Sequence, residues 1–497
     1  MPNRYSSRVA VAAVFALVVL SGQSMFAQVP IRRLDGSTIT SAEIDRSVAQ
    51  LMKAAEVTGA SIAIFNHGEI TYLKAYGFRD KEKNLPLTVE SVMSSASFSK
   101  VAFAYLVMKL VDDGNLNLDK PIYQYLARPL PEYPRYADLA NDPRHKQITA
   151  RMLLSHIAGF ANWRWLEDDH KLKIHFEPGS RFAYSGEGID LLQLVVEEIT
   201  HKPLAELMQD RVFTPIGMKR SSMIWEDRFA SDFANGYDEY GRSLGSKSWK
   251  KGDAAGSMMT TPHDFALFVQ AVMEGKGLKP TTRELMLSPQ IQINSKHEFP
   301  SLNNETTDEN KSIRLSYGLA WGLYWTPYGK VFFKEGHDEG WRNYTTCFDQ
   351  QETGIVIMTN SSNGEGIFKY LLETLLKNTF TPIEWEGYTP YDKLPPRQPL
   401  KQHKQVTIDI GLLDRYAGRY VLPPNVVLMI RREGDHLSVQ ENDEPKQDLL
   451  SESSTDFFST VADDVYTFVT DKEGHVNAVV LHTGGENIEI KRSDSTQ

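Results

Sequence analysis

Ser97-Phe98-Ser99-Lys100 holds a hydroxyl and an ammonium three residues apart, and residues with that spacing share a face when the chain is helical. A serine becomes a nucleophile only when a neighbouring base takes its proton. A lysine does this if burial beside other cations lowers its pKa. The apolar run 101–110 that follows would bury the rest of such a helix and hold the pair in place. Two fixed positions also recur by chance: Ser248-Trp249-Lys250-Lys251 has the same spacing, but sits in a polar stretch with no apolar helix behind it. The bland alternative for Ser97 is an N-cap serine with a surface lysine one turn on.

Two further stretches carry chemistry. Glu177-Pro178-Gly179 forms a turn delivering Phe182-Ala183-Tyr184-Ser185-Gly186 to the start of a helix over 189–200. A phenol held there near two ammonium groups is expected to ionise and act as a base; a core tyrosine with a hydrogen-bonded hydroxyl is the competing reading. Lys334-Glu335-Gly336-His337 places a lysine at a strand end beside a glycine that admits close backbone approach. A backbone N–H here and one at Ser97 would together hold an oxyanion. Other residues read as structural: His156 as a cap of helix-end carbonyls, Glu167-Asp168-Asp169-His170 as a solvated charge run, and Cys347, the one cysteine, as a buried thiol on a strand.

The elements that must position these groups follow from periodicity. Ile44, Val48, Leu51 and Met52 mark an amphipathic helix over 41–55. Residues 60–65 and 70–73 flank Asn66-His67-Gly68 and read as a hairpin. From 111 to 200 the chain reads as helices and irregular loops set into the sheet domain. Ala254-Ala255-Gly256-Ser257-Met258 leads into a helix from 262 to 275, and strand-like segments follow at 315–325, 330–333, 344–349 and 354–360, with a closing helix over 366–378. The fold class expected is α+β: an antiparallel sheet, completed by residues from both ends of the domain, with flanking helices.

With 497 residues, 41% of them hydrophobic and 24% charged, the composition is that of a globular chain with a full core. A net charge of −10 without a dense basic block argues against nucleic acid as a partner. A small-molecule ester or amide, or a peptide, is the expected substrate. Arg4 and Arg8, the apolar run 9–20 and the small residues up to Ala27 have the layout of a secretory signal peptide over 1–27, cleaved after Ala27. Periplasmic or secreted location follows, with no stable membrane span after cleavage; an uncleaved anchor is the alternative. No cysteine adjoins the cleavage site to take a lipid.

In this order the three chemical stretches resemble the serine β-lactamase and penicillin-binding-protein family, in particular its class C-like branch of D,D-peptidases, aminopeptidases and esterases. Ser97-x-x-Lys100 is similar to S-x-x-K, a mark of that family; Tyr184-Ser185-Gly186 is similar to Y-x-N, and Lys334-Glu335-Gly336 to K-T-G or H-x-G. The resemblance spans 58–360. It implies that Ser97 is acylated, that Lys100 and Tyr184 share the proton work, that Lys334 supports the charge of the cleft, and that the N–H groups of Ser97 and His337 form the oxyanion hole. It implies neither metal nor cofactor. Two departures bear on substrate. Gly186 replaces an asparagine whose amide would bond a substrate carbonyl. Glu335 replaces a threonine and, if it faces the cleft, would repel the carboxylate of penicillins and D-Ala-D-Ala peptides; strand alternation would otherwise turn it away.

The main domain is expected over 28–380. Prolines 382, 390, 395, 396 and 399 punctuate a linker over 381–404. Short strands around 416–420, 426–431, 436–440, 465–469 and 478–482 then suggest a small all-β, barrel-like domain over 405–497, resembling the appendage often found in the family. It reads as a packing accessory in preference to a lid. The leading function is an exported serine hydrolase; a D,D-peptidase or β-lactamase, and a non-catalytic sensor or binding protein, are the alternatives.

Overall fold

A computed structural model describes residues 30–397, 402–422, 426–442, 446–461, 463–483 and 486–493. The signal segment expected over 1–27 lies outside the described residues, as does part of the expected linker. The fold is α+β. Nine strands form one sheet in the order Ile291–Gln292, Ser316–Tyr317, Gly322–Thr326, Gly329–Asp338, Trp341–Phe348, Thr353–Thr359, Gly59–Asn66, Glu69–Asp80 and Leu85–Pro86. Neighbours pair antiparallel throughout. Strand Gly59–Asn66, from the start of the domain, pairs with Thr353–Thr359, from its end, in the register Ile62 with Ile357. Every residue of Gly59–Asn66 is buried, because both faces of the sheet are covered.

Side-chain alternation sends the two faces into separate cores. Ala63, Phe65, Phe332, Cys347 and Val356 pack with the helix Phe98–Asp112 and the helical region. Ile62, Ile64, Phe333, Tyr344 and Ile357 pack with the helix Ser41–Ala55 and the segment 367–376. Thr40 and Glu43 close a capping box on Ser41–Ala55, and Ile44, Val48, Met52 and Ala55 form its buried stripe. The expected closing helix is instead a 3-10 turn at Gly364–Ile367, an α turn at Phe368–Leu371 and a wider turn at Leu372–Leu376.

Phe98–Asp112 is apolar on all sides and nearly wholly buried, as a helix between a sheet and further helices must be. Its first residue, Phe98, stacks on Phe265 of the helix Pro262–Glu274, with centroids 4.0 Å apart and planes 4° from parallel. That stack backs the helix end carrying Ser97. After Asp112 the chain runs through short 3-10 turns and the α-helix Ala150–Leu154 to the helix Gly186–Thr200. This helix starts three residues before the expected 189 because Ser185 Oγ accepts the Gly188 N–H at 3.0 Å.

Beyond the sheet domain, eight antiparallel strands from Gly418–Leu422 to Glu486–Arg492 close into a barrel, Tyr420 pairing with Arg492. The sequence suggested five of these strands. Gln447–Ser451, Asp456–Ser459 and Glu486–Arg492 were missed because they are short or mostly polar and carry few of the apolar residues that announce a strand. Tyr416, Tyr420, Phe457 and Phe468 fill the barrel core.

Phe265→Ala should remove the support of Phe98 and open a cavity beneath the start of the buried helix. Large-to-small changes of this kind cost about 3–5 kcal/mol. A matching drop in urea midpoint at constant slope is the expected outcome.

Candidate active site

Ser97 is the N-cap of Phe98–Asp112, yet its side chain makes no capping bond. The residue before it, Ala96, adopts φ +48°, a left-handed conformation that costs a residue with a Cβ. The turn aims the Ser97 hydroxyl away from the helix N–H groups and toward Lys100, whose Nζ lies 3.1 Å from Ser97 Oγ and 2.7 Å from Ala255 O. The N-cap reading of Ser97 therefore fails on geometry. The segment 253–259 cradles the turn: Met258 O accepts from Ser95 N at 3.0 Å and Ser95 Oγ at 2.6 Å, while Ser99 Oγ accepts from Met258 N at 2.9 Å. Ser248, by contrast, lies in an irregular stretch outside any helix.

Tyr184 and Lys334 complete the group. Lys334 Nζ donates to Tyr184 Oη at 3.0 Å, and Lys334 also pairs with the Glu335 carboxylate. The phenol ring lies over both amines, its centroid 5.1 Å from Lys100 Nζ and 4.6 Å from Lys334 Nζ. His156 holds the ring from behind, with centroids 4.3 Å apart, while its Nδ1 accepts the Ser185 N–H at 3.2 Å. Its backbone also caps the helix Ala150–Leu154, as expected, with φ +55° and its N–H donating to Leu153 O at 3.3 Å, while its imidazole packs and anchors. Burial and the nearby lysines push its pKa well below that of a free imidazole, so it stays neutral.

The electrostatics divide the proton work unequally. Complete burial, reinforced by the Lys334 charge, lowers Lys100 to about 7. Burial is the largest influence on Lys334 too and lowers it, but Glu335, Tyr184, Tyr317 and Glu298 together outweigh it and the net shift is upward. Tyr184 differs from the sequence expectation of an ionised phenol. Desolvation disfavours a phenolate more than Lys334 favours it, so its pKa rises above the ordinary value and the hydroxyl is retained. At neutral pH the arrangement offers Lys100 as the base and Tyr184 as a neutral hydrogen-bond relay.

Strand Gly329–Asp338 supplies the opposite wall. Its hairpins close at Thr326 with Gly329 and at Asp338 with Trp341. Both closures give one parity: Glu335 and His337 direct their backbone groups away from strand Trp341–Phe348. Strand Gly322–Thr326 ends opposite Phe333, so the His337 N–H faces the cleft edge. A Cβ on Gly336 would lie 2.7 Å from Ser95 O, which is why only glycine lets this strand press against the nucleophile turn. Asn343 Nδ2 fixes that approach by donating to Ser94 O at 3.2 Å. The strand carrying His337 is thereby in contact with the turn carrying Ser97, which is what an oxyanion hole made of their two N–H groups would require.

Glu335 is 5% exposed and is spent on Lys334. It faces neither bulk solvent nor an open cleft. Glu298, also buried and with both carboxylate oxygens unpartnered, lies close enough to couple with it; burial and then the Glu335 charge raise its pKa well above the carboxylate range. Gly186 abuts Trp163, whose ring atoms lie 2.3–2.5 Å from where a Cβ would stand. The sequence reading assigned no role to Trp163, Ala255 or Glu298. Only the close spacing of Trp163 and Trp165 in a loop region hinted at the first, and nothing local marks the others.

The remaining candidates are structural. His175 Nε2 pairs with Glu167 Oε1 at 2.6 Å and Lys173 with Asp169 at 2.7 Å, placing the acidic run among partly exposed ion pairs. Cys347 is fully buried on its strand, and burial pushes its thiol pKa up. Among the described residues no helix is long and apolar enough to cross a membrane.

Residues 44–376 match the family described as Beta-lactamase, and residues 402–493 match a domain of unknown function, DUF3471. A penicillin-binding protein of Bacillus subtilis (strain 168) is 22% identical over 468 residues, covering 85% of this chain and 93% of its own. The esterase EstB of Burkholderia gladioli is 30% identical over 235 residues, 41% of this chain and 57% of its own. A D-aminopeptidase of Brucella anthropi is 29% identical over 187 residues, 36% of this chain and 35% of its own. Among solved structures, the octameric penicillin-binding protein homologue from Pyrococcus abyssi superposes with a TM-score of 0.56 at 20% identity over 91% of this chain and all of that one. D-alanine carboxypeptidase AmpC from Burkholderia cenocepacia gives 0.52 at 22% identity over 64% and 93%. With a single family match running across the whole sheet domain and all the clustered residues, the chain belongs to the beta-lactamase family and is an enzyme of the serine-hydrolase type.

Proposed function

We propose that this chain is an exported hydrolase that cleaves an ester or amide through an acyl-enzyme on Ser97. The observation that carries the reading is the buried amine of Lys100, held at about 7 and 3.1 Å from Ser97 Oγ. Neutral Lys100 takes the hydroxyl proton as Oγ attacks the acyl carbon. Negative charge gathers on the carbonyl oxygen between the N–H groups of Ser97 and His337. The proton passes through Tyr184 to the leaving alcohol or amine, the acyl bond breaks, and water repeats the sequence to free Ser97. The basic and apolar amino-terminal segment supports export.

Two observations support a neutral substrate over a D-Ala-D-Ala peptide or a β-lactam. Lys334, the cation that would meet a substrate carboxylate, is neutralised by Glu335, and Gly186 offers no amide. The penicillin-binding relatives keep the peptidase reading as the second choice. The joint presence of Ser97, Lys100, Tyr184 and Lys334 in one buried group speaks against a sensor without catalysis.

Exposure of the mature protein to a fluorophosphonate probe should give one adduct by intact mass, absent from Ser97→Ala. The absence of an adduct on folded wild type would refute the nucleophile assignment. Because Lys100 must be neutral to act, kcat/KM should rise with pH through about 7 and level off above it. Below that point it should fall by about tenfold per pH unit. Tyr184, held above its ordinary value, should add no alkaline loss before about pH 9. Glu335→Thr frees the Lys334 charge and should raise acylation by benzylpenicillin by about tenfold or more, the scale of one charge-assisted hydrogen bond; an unchanged acylation rate would remove Glu335 from the account of specificity.

A further inference from the structure

Gly186 opens the helix Gly186–Thr200 one residue past Ser185, and its missing side chain has a physical replacement. A Cβ at this position would stand 2.3 Å from Trp163 Cη2 and 2.5 Å from Cζ2 and Cζ3. The six-membered ring of the indole therefore lies directly on the Gly186 backbone. An amide cannot project from residue 186 while Trp163 is there, and the space such an amide would occupy is aromatic.

That ring is fixed in place. Asn162, on one side of it, accepts the Gly186 and Glu187 N–H groups on its backbone oxygen at 3.0 and 3.1 Å, and the Gly186 N–H again on Oδ1 at 3.0 Å. Arg164, on the other side, makes a buried two-pronged pair with Glu187, both contacts 2.7 Å. The indole centroid lies 5.8 Å from Lys100 Nζ, the amine beside Ser97 Oγ. Trp165 stacks on its outer side with centroids 4.6 Å apart and planes 11° from parallel, and remains 45% exposed. The two indoles thus form a face-to-face pile, with Trp163 on the side of Lys100 and Trp165 on the side of solvent.

We propose that Trp163, with Gly186 beneath it and Trp165 outside it, is the specificity-determining residue of this site and selects acyl groups that present an aryl or alkyl chain in place of an acylamino group. The inference rests on the acyl-enzyme reading above. A substrate whose acyl carbon carries an α-acylamino group would bury that amide against an indole face where residue 186 has no side-chain amide to meet it, and an unpaired buried carbonyl is penalised. An aryl or alkyl chain loses nothing and gains contact with the ring surface. Discrimination of this kind is about 10- to 100-fold in kcat/KM. The preferred substrates are esters or amides of arylacetic, aromatic or medium-chain aliphatic acids.

The test compares 4-nitrophenyl phenylacetate with 4-nitrophenyl N-acetylglycinate, which share a leaving group and nearly a length. Wild type should favour the phenylacetate by at least tenfold in kcat/KM. Trp163→Ala should lower that ratio by at least tenfold, chiefly through the KM of the phenylacetate, while Trp163→Phe restores most of it. The double variant Trp163→Ala/Gly186→Asn, which has room for the amide, should favour the acetylglycinate. Equal hydrolysis of the two esters by wild type overturns the proposal, as does a ratio unmoved by Trp163→Ala. Should Asn162→Ala abolish acetylglycinate turnover in a wild type that accepts both esters, Asn162 supplies the amide and the proposal also falls. If the variants do not fold, competition on wild type by benzylboronic acid against acetamidomethylboronic acid decides the matter, tighter binding of the first supporting the proposal and equal or weaker binding refuting it. A fluorophosphonate adduct on Ser97 separates the two levels: without it the acyl-enzyme reading fails, and with it but without acyl discrimination only this inference does.

Discussion

Two ammonium groups share one dry site, and the structure depends on their being treated differently. Lys334 and Lys100 are both fully buried beside the ring of Tyr184. Burying two like charges without compensation is prohibitive, and the usual outcome is that one group gives up its proton. The groups around Lys334 decide which, and Glu335 is the largest of them. It pairs with Lys334, whereas the described hydrogen-bond partners of Lys100 Nζ are Ser97 Oγ and a backbone carbonyl, neither of which carries a charge to hold the proton. Lys334 thus remains a cation and Lys100 becomes an amine near neutrality. A residue that on sequence grounds looked like a barrier to anionic substrates also contributes to the difference between the two lysines.

That asymmetry requires three remote parts of the chain to meet without water between them. The sheet provides the means, because the strand carrying Lys334 loses its neighbour Gly322–Thr326 just where the cleft begins. Its free edge turns the Glu335 and His337 backbone toward the nucleophile turn. Gly336 permits the contact with Ser95, and the left-handed Ala96 places Ser97 at the head of a helix fixed by the Phe98 and Phe265 stack. Strain in one residue is tolerated because segments on either side of the turn are bonded to Met258 and Asn343.

The sequence revealed the parts of this arrangement that depend on local pattern. The antiparallel sheet, its completion from both ends of the domain and the apolar helix behind Ser97 follow from periodicity, and the spacing of Ser97 and Lys100 follows from helical geometry. What it could not reveal depends on the balance of burial against charge. Tyr184 has two ammonium groups for neighbours, and counting charges predicts a phenolate; only the depth of burial shows that desolvation prevails. His156 caps a helix end, as its position suggests, but only the fold shows its ring packed on Tyr184. Gly186 registered as an absence. Its partner Trp163 lies 23 residues earlier, and no periodic signal connects a loop indole to a helix-start glycine.

The two departures from the family pattern have one physical direction. Glu335 removes free positive charge from the wall where a carboxylate would dock, and the Gly186 and Trp163 pair removes the polar group that would meet an amide. Neither replaces a group proposed to move protons or hold the oxyanion: Ser97, Lys100, Tyr184 and the two backbone N–H groups come from a helix start, a turn and a strand edge, whereas Trp163 comes from a loop pinned by Asn162 and by the buried Arg164 and Glu187 pair. Acyl transfer and substrate choice are therefore carried by different elements. The loop is held by Ala161, Asn162 and Arg164 through hydrogen bonds and ion pairs and by the stack on Trp165, none of which involves the helix start at Ser97 or the strand carrying Lys334, so on the proposed reading a change at residue 163 would alter the choice of substrate and leave the proposed catalytic group in place.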